Sequence, residues 1–249
     1  MDAVDAAVLA TAALAAGALN AVAGGGSFLT FPALVFTGVP PIAANATSAL
    51  AVSPGYLGST LGFRHELRAL PWAQLRREAL LAAAGGVAGA LLLLVTPASS
   101  FRALVPWLLL LATALFAWGP WIVRRLGQTT GPHPRTRAWG LLAVAVYGGY
   151  FNGGLGILLM ALLAATGETD LQRANALKNF HSLVLSVLSV ATFALAGAIA
   201  WGPALLMATA ATAGGYVGAR TARRLPAAAL RTLVVATGLI MAALFAWRG

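Results

Sequence analysis

Cysteine is absent from this 249-residue chain, which excludes a disulfide framework, an iron–sulfur cluster and a thiolate zinc site. Charge is scarce too. Only 9% of the residues are charged, where a soluble domain of this size carries about 25%. Six acidic residues in all leave little for acid–base work. No carboxylate pair, Ser–His–Asp order or metal-ligand spacing falls inside the apolar stretches, so a catalytic site, a metal site and a resident cofactor are not expected. A phosphate-binding Gly-x-x-x-x-Gly-Lys-Ser/Thr loop is also missing, so drive by ATP would need another subunit.

What fills the space is apolar. Hydrophobic residues make up 60% of the chain. No Asp, Glu, Lys or Arg occurs from Ala6 to Phe63, Ala79 to Phe101, Ala103 to Val123, Ala138 to Gly167, Asn179 to Ala219, or Thr232 to Trp247. A hydrocarbon core about 30 Å thick takes roughly 20 apolar residues per helical crossing. Several of these runs therefore hold one crossing, and the longest hold two or three. Strict alternation of a barrel is lacking, and helices satisfy every backbone group internally. The fold class expected is an all-α, multi-pass membrane bundle. Its +10 charge would suggest nucleic acid in a soluble protein, but cytoplasmic loops of membrane proteins collect Arg; no nucleic-acid partner is expected. Asp2 and Asp5 stand where a signal peptide would be basic, so the first apolar run reads as a permanent helix.

The chain repeats itself. Ala44-Asn45-Ala46 recurs as Ala174-Asn175-Ala176, and the same 130-residue displacement carries Gly24 onto Gly154, Gly26 onto Gly156 and Gly85 onto Gly215. Each copy reads as a helix (4–22; 138–153), a glycine break (24–26; 153–156), a short apolar piece (28–38; 157–166), a long helix (43–63; 172–200) and two further helices (79–96 and 103–123; 203–219 and 229–247). This divides the chain into a first membrane repeat, 1–123, a cytoplasmic linker, 124–137, and a second repeat, 138–249. If the short piece and long helix form a hairpin, each copy crosses an odd number of times and the second is inverted. Arg64, Arg68, Arg76, Arg77, Arg124, Arg125, Arg135, Arg137, Arg220, Arg223, Arg224 and Arg231 then share one face, as the positive-inside rule prefers, with both termini outside. Trp107, Trp201 and Trp247 fall at outer ends, and Trp72, Trp118, Trp121 and Trp139 at inner ends.

Inverted repeats with paired glycine-interrupted segments point to a transporter's binding site, because a broken helix frees backbone groups and presents its positive N-terminal end. The candidate segments are Gly24-Gly25-Gly26-Ser27 and Asn152-Gly153-Gly154-Leu155-Gly156; close helix packing is the competing reading of these glycines. A second candidate is the start of each long helix: Asn45, Thr47 and Ser48 in one copy, Asn175, Lys178 and Asn179 in the other, where the amides and hydroxyls also suit interhelical bonding. Lys178 heads an uncharged run. An intramembrane charge is a functional residue by default, although a lysine there also snorkels to the interface. His181 reads as a proton acceptor or as a packed core histidine. His65 and His133 read as loop residues, and Glu168 and Asp170 as decoration of a hairpin turn.

The run Gly24-Gly25-Gly26-Ser27-Phe28-Leu29-Thr30-Phe31-Pro32-Ala33-Leu34, then Gly38-Val39-Pro40-Pro41 and Ala44-Asn45-Ala46-Thr47-Ser48, resembles the first half of the sulfite exporter TauE/SafE family. Gly148-Gly149-Tyr150-Phe151-Asn152-Gly153-Gly154-Leu155-Gly156 with Ala174-Asn175-Ala176-Leu177-Lys178-Asn179 looks like its second half, although Asn-Gly-Gly-Leu-Gly-Ile is poorer in glycine than the family's break. The resemblance implies a permease for sulfite or small organosulfonates in the cytoplasmic membrane, its path lined by the breaks and the Asn/Thr/Lys segments. The function expected is a secondary transporter of a small anion working by alternating access, with a passive anion channel or a membrane assembly factor as the rival readings. Protons or sodium as coupling ions, and association into homo-oligomers, are left open.

Overall fold

The computed structural model describes residues 1–22, 25–126, 133–221 and 227–248. Gly24, Arg223 and Arg224 lie outside these residues, as do the side chains of Arg220, Arg231 and Arg248. Every regular element among the described residues is an α-helix: α1 (Ala3–Val22), α2 (Ser27–Phe36), α3 (Pro41–Gly62), α4 (Arg64–Arg68), α5 (Trp72–Val95), α6 (Ala98–Leu126), α7 (Pro134–Tyr150), α8 (Leu155–Ala165), α9 (Leu171–Leu195), α10 (Trp201–Thr221) and α11 (Ala227–Arg248). Four of them, α1 over 3–20 together with α5, α6 and α9, are long and apolar enough to cross a membrane. The protein is a helical, multi-pass membrane protein.

Proline and glycine set the boundaries. Pro41 and Pro134 occupy first helical turns, and Pro71 caps α5, where the missing N–H costs nothing. The turns after α2 and α8 are built alike. Gly38 (φ 84°) and Gly167 (φ 89°) take the left-handed conformation, while Val39 N–H donates to Leu34 C=O and Glu168 N–H to Leu163 C=O. This is the bonding that ends a helix on glycine.

Several boundaries differ from those the uncharged runs suggest. The helix α5 begins at Trp72, not near Ala79, so Arg76, Arg77 and Glu78 lie within it. A charge-free run marks the lipid-immersed part of a helix, not its start. For the same reason α6 extends to Leu126 and α7 starts at Pro134, shortening the linker. The second break opens earlier, at Phe151, and Gly156 belongs to α8. His65 lies in α4, a short helix that pattern alone did not reveal, and His133 caps α7.

The principal helix pairs are α1 with α10, α5 with α7, α5 with α9, α6 with α11, α3 with α9 and α3 with α10. Small residues allow the closest of these, as is usual in lipid. A methyl group added at Gly17 would land on the Ala211 carbonyl, one at Gly214 on the Leu14 carbonyl, and one at Gly149 on the Gly86 carbonyl. Packing is the role of Gly85 as well, which faces Ala145 and Leu142.

The bundle has two distinct ends. At the first, Met1 and Asp5 of α1, residues 37–40 and residues 197–200 surround a shared cavity of about 520 Å³. At the second, Leu67, Leu70 and Leu75 pack with Leu163, Ala174 and Leu177. Helix α3 therefore starts at the first end and α9 at the second, and the two run antiparallel. All seven Trp side chains are exposed on the outside of the bundle, as residues of an interfacial belt should be.

Candidate functional site

The described residues of both glycine segments are largely buried. Gly25 and Gly26 are buried. A side chain at Gly25 would meet the Phe116 ring, and one at Gly26 would meet Val52 and the Ala16 carbonyl. At the other break Asn152, Gly153 and Gly154 are buried, and Gly154 takes a left-handed φ of 75° as the cap of α8. Gly153 and Gly154 both adjoin Ala112 of α6, one turn from Phe116, so α6 touches the two breaks together. Aromatic rings wall the region: Phe28 against Phe116 and Phe31 against Phe151, each pair with centroids 5.7 Å apart.

Broken helices leave carbonyls without their usual partners. Here the protein supplies donors. Asn45 Nδ2 donates to the Tyr150 carbonyl at 3.0 Å, and the Tyr147 hydroxyl to the Gly153 carbonyl at 2.6 Å. Leu155 N–H reaches the Asn152 carbonyl. At the first break the Gly26 carbonyl accepts from Leu29 N–H, Thr30 N–H and the Thr30 hydroxyl.

Where α3 and α9 cross, Ser53 Oγ and Ser186 Oγ are 2.7 Å apart, and the Tyr56 hydroxyl donates to Asn152 Oδ1 at 3.3 Å. Sequence reading missed Ser53, Tyr56, Tyr147 and Ser186. Only the antiparallel crossing of α3 and α9 brings Ser53 and Ser186 together, with Tyr56 beside them on α3, while Tyr147 reaches the second break from α7, and no local motif announces either placement.

The antiparallel arrangement also parts the two helix starts. Thr47 Oγ1 accepts from Ala200 N–H at 3.0 Å at the first end, and Ser48 Oγ lies 2.7 Å from Thr30 Oγ1. Asn175 and Lys178 lie towards the second end, where Lys178 Nζ donates to Asn175 Oδ1 at 3.4 Å. Asn179 is buried on the same helix, and Ser27 and Gly156 are half-buried beside their breaks. Asn45 thus joins the second break, whereas Lys178 and Asn175 stay a separate group.

Charged contacts cluster near the second end. His181 Nε2 is 2.8 Å from Glu78 Oε2, and Arg137 Nε is 2.9 Å from Glu78 Oε1. Glu168 lies within 3.8 Å of Arg137 and 3.9 Å of Arg173, so it is an interior ion-pair partner. Asp170 caps α9 through Gln172 N–H and Arg173 N–H. Sequence reading missed Glu78 and Arg137, because charges flanking an apolar run look like loop residues. No group of His, Asp and Glu able to hold a metal occurs among the described residues.

The sulfite exporter TauE/SafE family model matches residues 9–245. This chain belongs to that family. It is 29% identical over 241 residues to the probable membrane transporter protein ORF9 of Sinorhizobium sp, covering 95% of this chain and 90% of the relative. It is 27% identical to a probable membrane transporter protein of Haemophilus influenzae, covering 95% and 92%. With the probable membrane transporter protein YfcA of Escherichia coli K12 it shares 24% identity, covering 95% and 87%. No solved structure matches it. The chain is accordingly a membrane transporter, not an enzyme.

Proposed function

We propose that the protein is a secondary transporter that moves a small anion, sulfite or an organosulfonate, across the cytoplasmic membrane by alternating access. One observation carries the sign of the solute. Among the described residues, the Tyr150 and Gly153 carbonyls at the second break and the Gly26 carbonyl at the first already accept from the protein's own donors, Asn45, Tyr147, Thr30 and nearby backbone N–H groups. A cation would need those oxygens. An anion would instead be drawn by the positive N-terminal ends of the short helices α2 and α8. The hydroxyls of Ser53, Tyr56 and Ser186, which bond to the Ala49 carbonyl, Asn152 Oδ1 and one another, would have to turn towards an oxyanion to serve it as neutral donors.

The halves are read as inverted repeats. Exchanging α1, α2, α3, α5 and α6 for α7, α8, α9, α10 and α11 turns the α1–α10 pair into the α7–α5 pair and leaves α3–α9 and α6–α11 as pairs of counterparts. That is the pairing expected of two copies related by a pseudo-two-fold axis in the membrane plane, with the site on the axis. Rocking of one half against the other would expose the breaks to each end in turn.

The test is flux in proteoliposomes against sulfite, alkylsulfonates, sulfate and carboxylates. Saturable uptake of sulfite or a sulfonate, trans-stimulated by the same anion, is expected. Flux that never saturates would make the protein a channel, and no flux of any anion would overturn the reading.

A further inference from the structure

Five ionisable side chains near the second end form a cluster, buried at Glu78 and His181 and exposed at Arg173, to which the anion path gives no role. Glu78 of α5 touches both Arg137 of α7 and His181 of α9, and Arg137 reaches on to Glu168, which also faces Arg173. Glu78 and His181 are 6% and 1% exposed. The neighbouring elements add few charges. Lys178 lies one turn earlier on α9 and bonds Asn175. Arg76 and Arg77 lie on α5 and Arg135 on α7. Of the elements packed on α9, the short α4 carries Arg64, His65, Glu66 and Arg68; α8 carries no titratable residue, and α3 only Tyr56, which faces Asn152.

Packing alone does not call for this cluster. The 130-residue displacement that relates the halves pairs Glu78 with Ala208, His181 with Ala51, Arg137 with Ala7, Glu168 with Gly38 and Arg173 with Ala43. The corresponding places in the other half therefore hold only small uncharged residues. Buried ion pairs are at best weak contributors to stability and can be replaced by apolar groups without loss. Their presence on one side only speaks for a use.

The use is written in the imidazole. Glu78, paired with Arg137, is a carboxylate and can only accept, so His181 Nε2 carries a proton and donates it at 2.8 Å. In a neutral ring Nδ1 is then the bare lone pair. It is buried and has no hydrogen-bond partner among the described residues, and neither does the neighbouring Ser182 Oγ. A carboxylate fixes the tautomer on one side, and a free basic nitrogen waits on the other.

We infer that His181 Nδ1, oriented by Glu78, is an intramembrane proton-binding site that takes up and releases one proton in each transport cycle. The proton comes from water at the face to which the site is open; it adds to the Nδ1 lone pair, forms an N–H bond and leaves as the site opens to the other face. With the ring neutral, Glu78 and Glu168 balance Arg137 and Arg173. Protonation gives the cluster one net positive charge, which a monovalent anion offsets. Proton and anion binding are therefore linked, and each strengthens the other. The proton site stands on its own geometry, whereas its part in a cycle rests on the transport reading above.

Two measurements test it. Histidine occurs three times in the chain, so His65→Asn with His133→Asn leaves His181 as the single ¹⁵N-labelled ring, with the cluster untouched. In lipid nanodiscs its Nε2 should keep a proton throughout while Nδ1 gains one as the pH falls from neutral, and Glu78→Gln should lower that proton affinity tenfold or more. A ring that stays neutral until the protein unfolds, or that titrates identically in the Glu78→Gln variant, would overturn the site. In proteoliposomes carrying a pH-sensitive dye, an alkylsulfonate, whose own charge does not change with pH, should move together with protons. Sulfonate flux without protons overturns the coupling. If no anion moves, the transport reading fails, while the resonance titration still decides the site.

Discussion

The Tyr147 hydroxyl is the sharpest place to test how the second break is held. It donates to the Gly153 carbonyl at 2.6 Å, and no backbone N–H among the described residues takes that carbonyl instead. Gly153 is buried, so Tyr147→Phe leaves its carbonyl without a partner where lipid and apolar side chains offer no replacement. The ring and its edge contact with Phe151, at 6.5 Å between centroids, survive the change. The loss is then that of one buried acceptor, about 1–3 kcal/mol. For a chain of this length that lowers Tm by roughly 2–12 °C. Tyr150→Phe is the control. Its hydroxyl meets Thr96 Oγ1 only at 3.5 Å, and Thr96 also donates to the Leu92 carbonyl at 2.7 Å. Its removal should cost no more than about 0.5 kcal/mol. Both variants can be followed in detergent by intrinsic fluorescence on heating. Equal shifts, or no shift in Tyr147→Phe, would show that the break holds its shape without that bond.

Three further outcomes are expected. Gly149→Ala sets a methyl group against the Gly86 carbonyl, where backbone must move, and should cost about 1–3 kcal/mol, whereas Gly58→Ala, with open space around it, should raise stability by about 0.5–1 kcal/mol; thermal melts compare them. Lys178→Met keeps the apolar stem and removes the ammonium; if that charge draws the anion, affinity in a binding titration should fall by about 1.5–3 kcal/mol, roughly ten- to a hundredfold, while unchanged affinity would make it a snorkelling residue. Single cysteines introduced at Arg135 and Arg223 of this cysteine-free chain should react with an impermeant reagent from the same side of the membrane, and reaction from opposite sides would refute the inverted arrangement.

Much of the fold was legible because lipid restricts what a sequence can do. Once charge-free runs demand helices, prolines and glycines place the ends, and Gly38 and Gly167 mark the turns after both short helices. The helix starts at Trp72 and Pro134 were not legible, since charged residues continue a helix beyond the apolar core as readily as they end it. At the site, Gly25, Gly153 and Gly154 show in the sequence as runs that break a helix. Their partners do not. Asn45 reads locally as a packing amide, and only the fold reveals that it covers the Tyr150 carbonyl 105 residues away in sequence. The repeat misleads in one respect. Similarity between Ala44-Asn45-Ala46 and Ala174-Asn175-Ala176 suggests two faces of one pocket, yet antiparallel helices carry their starts to opposite ends. What meets at the centre is the residue farther along each helix, Ser53 against Ser186. In a duplicated fold the pocket therefore has to be sought where the two copies cross, and there the sequences have diverged: the 130-residue displacement sets Ser186 over Tyr56 and Ser53 over Leu183. On the inverted-repeat reading proposed above, identical motifs would keep the scaffold symmetric, and unlike residues at the crossing would make one asymmetric site.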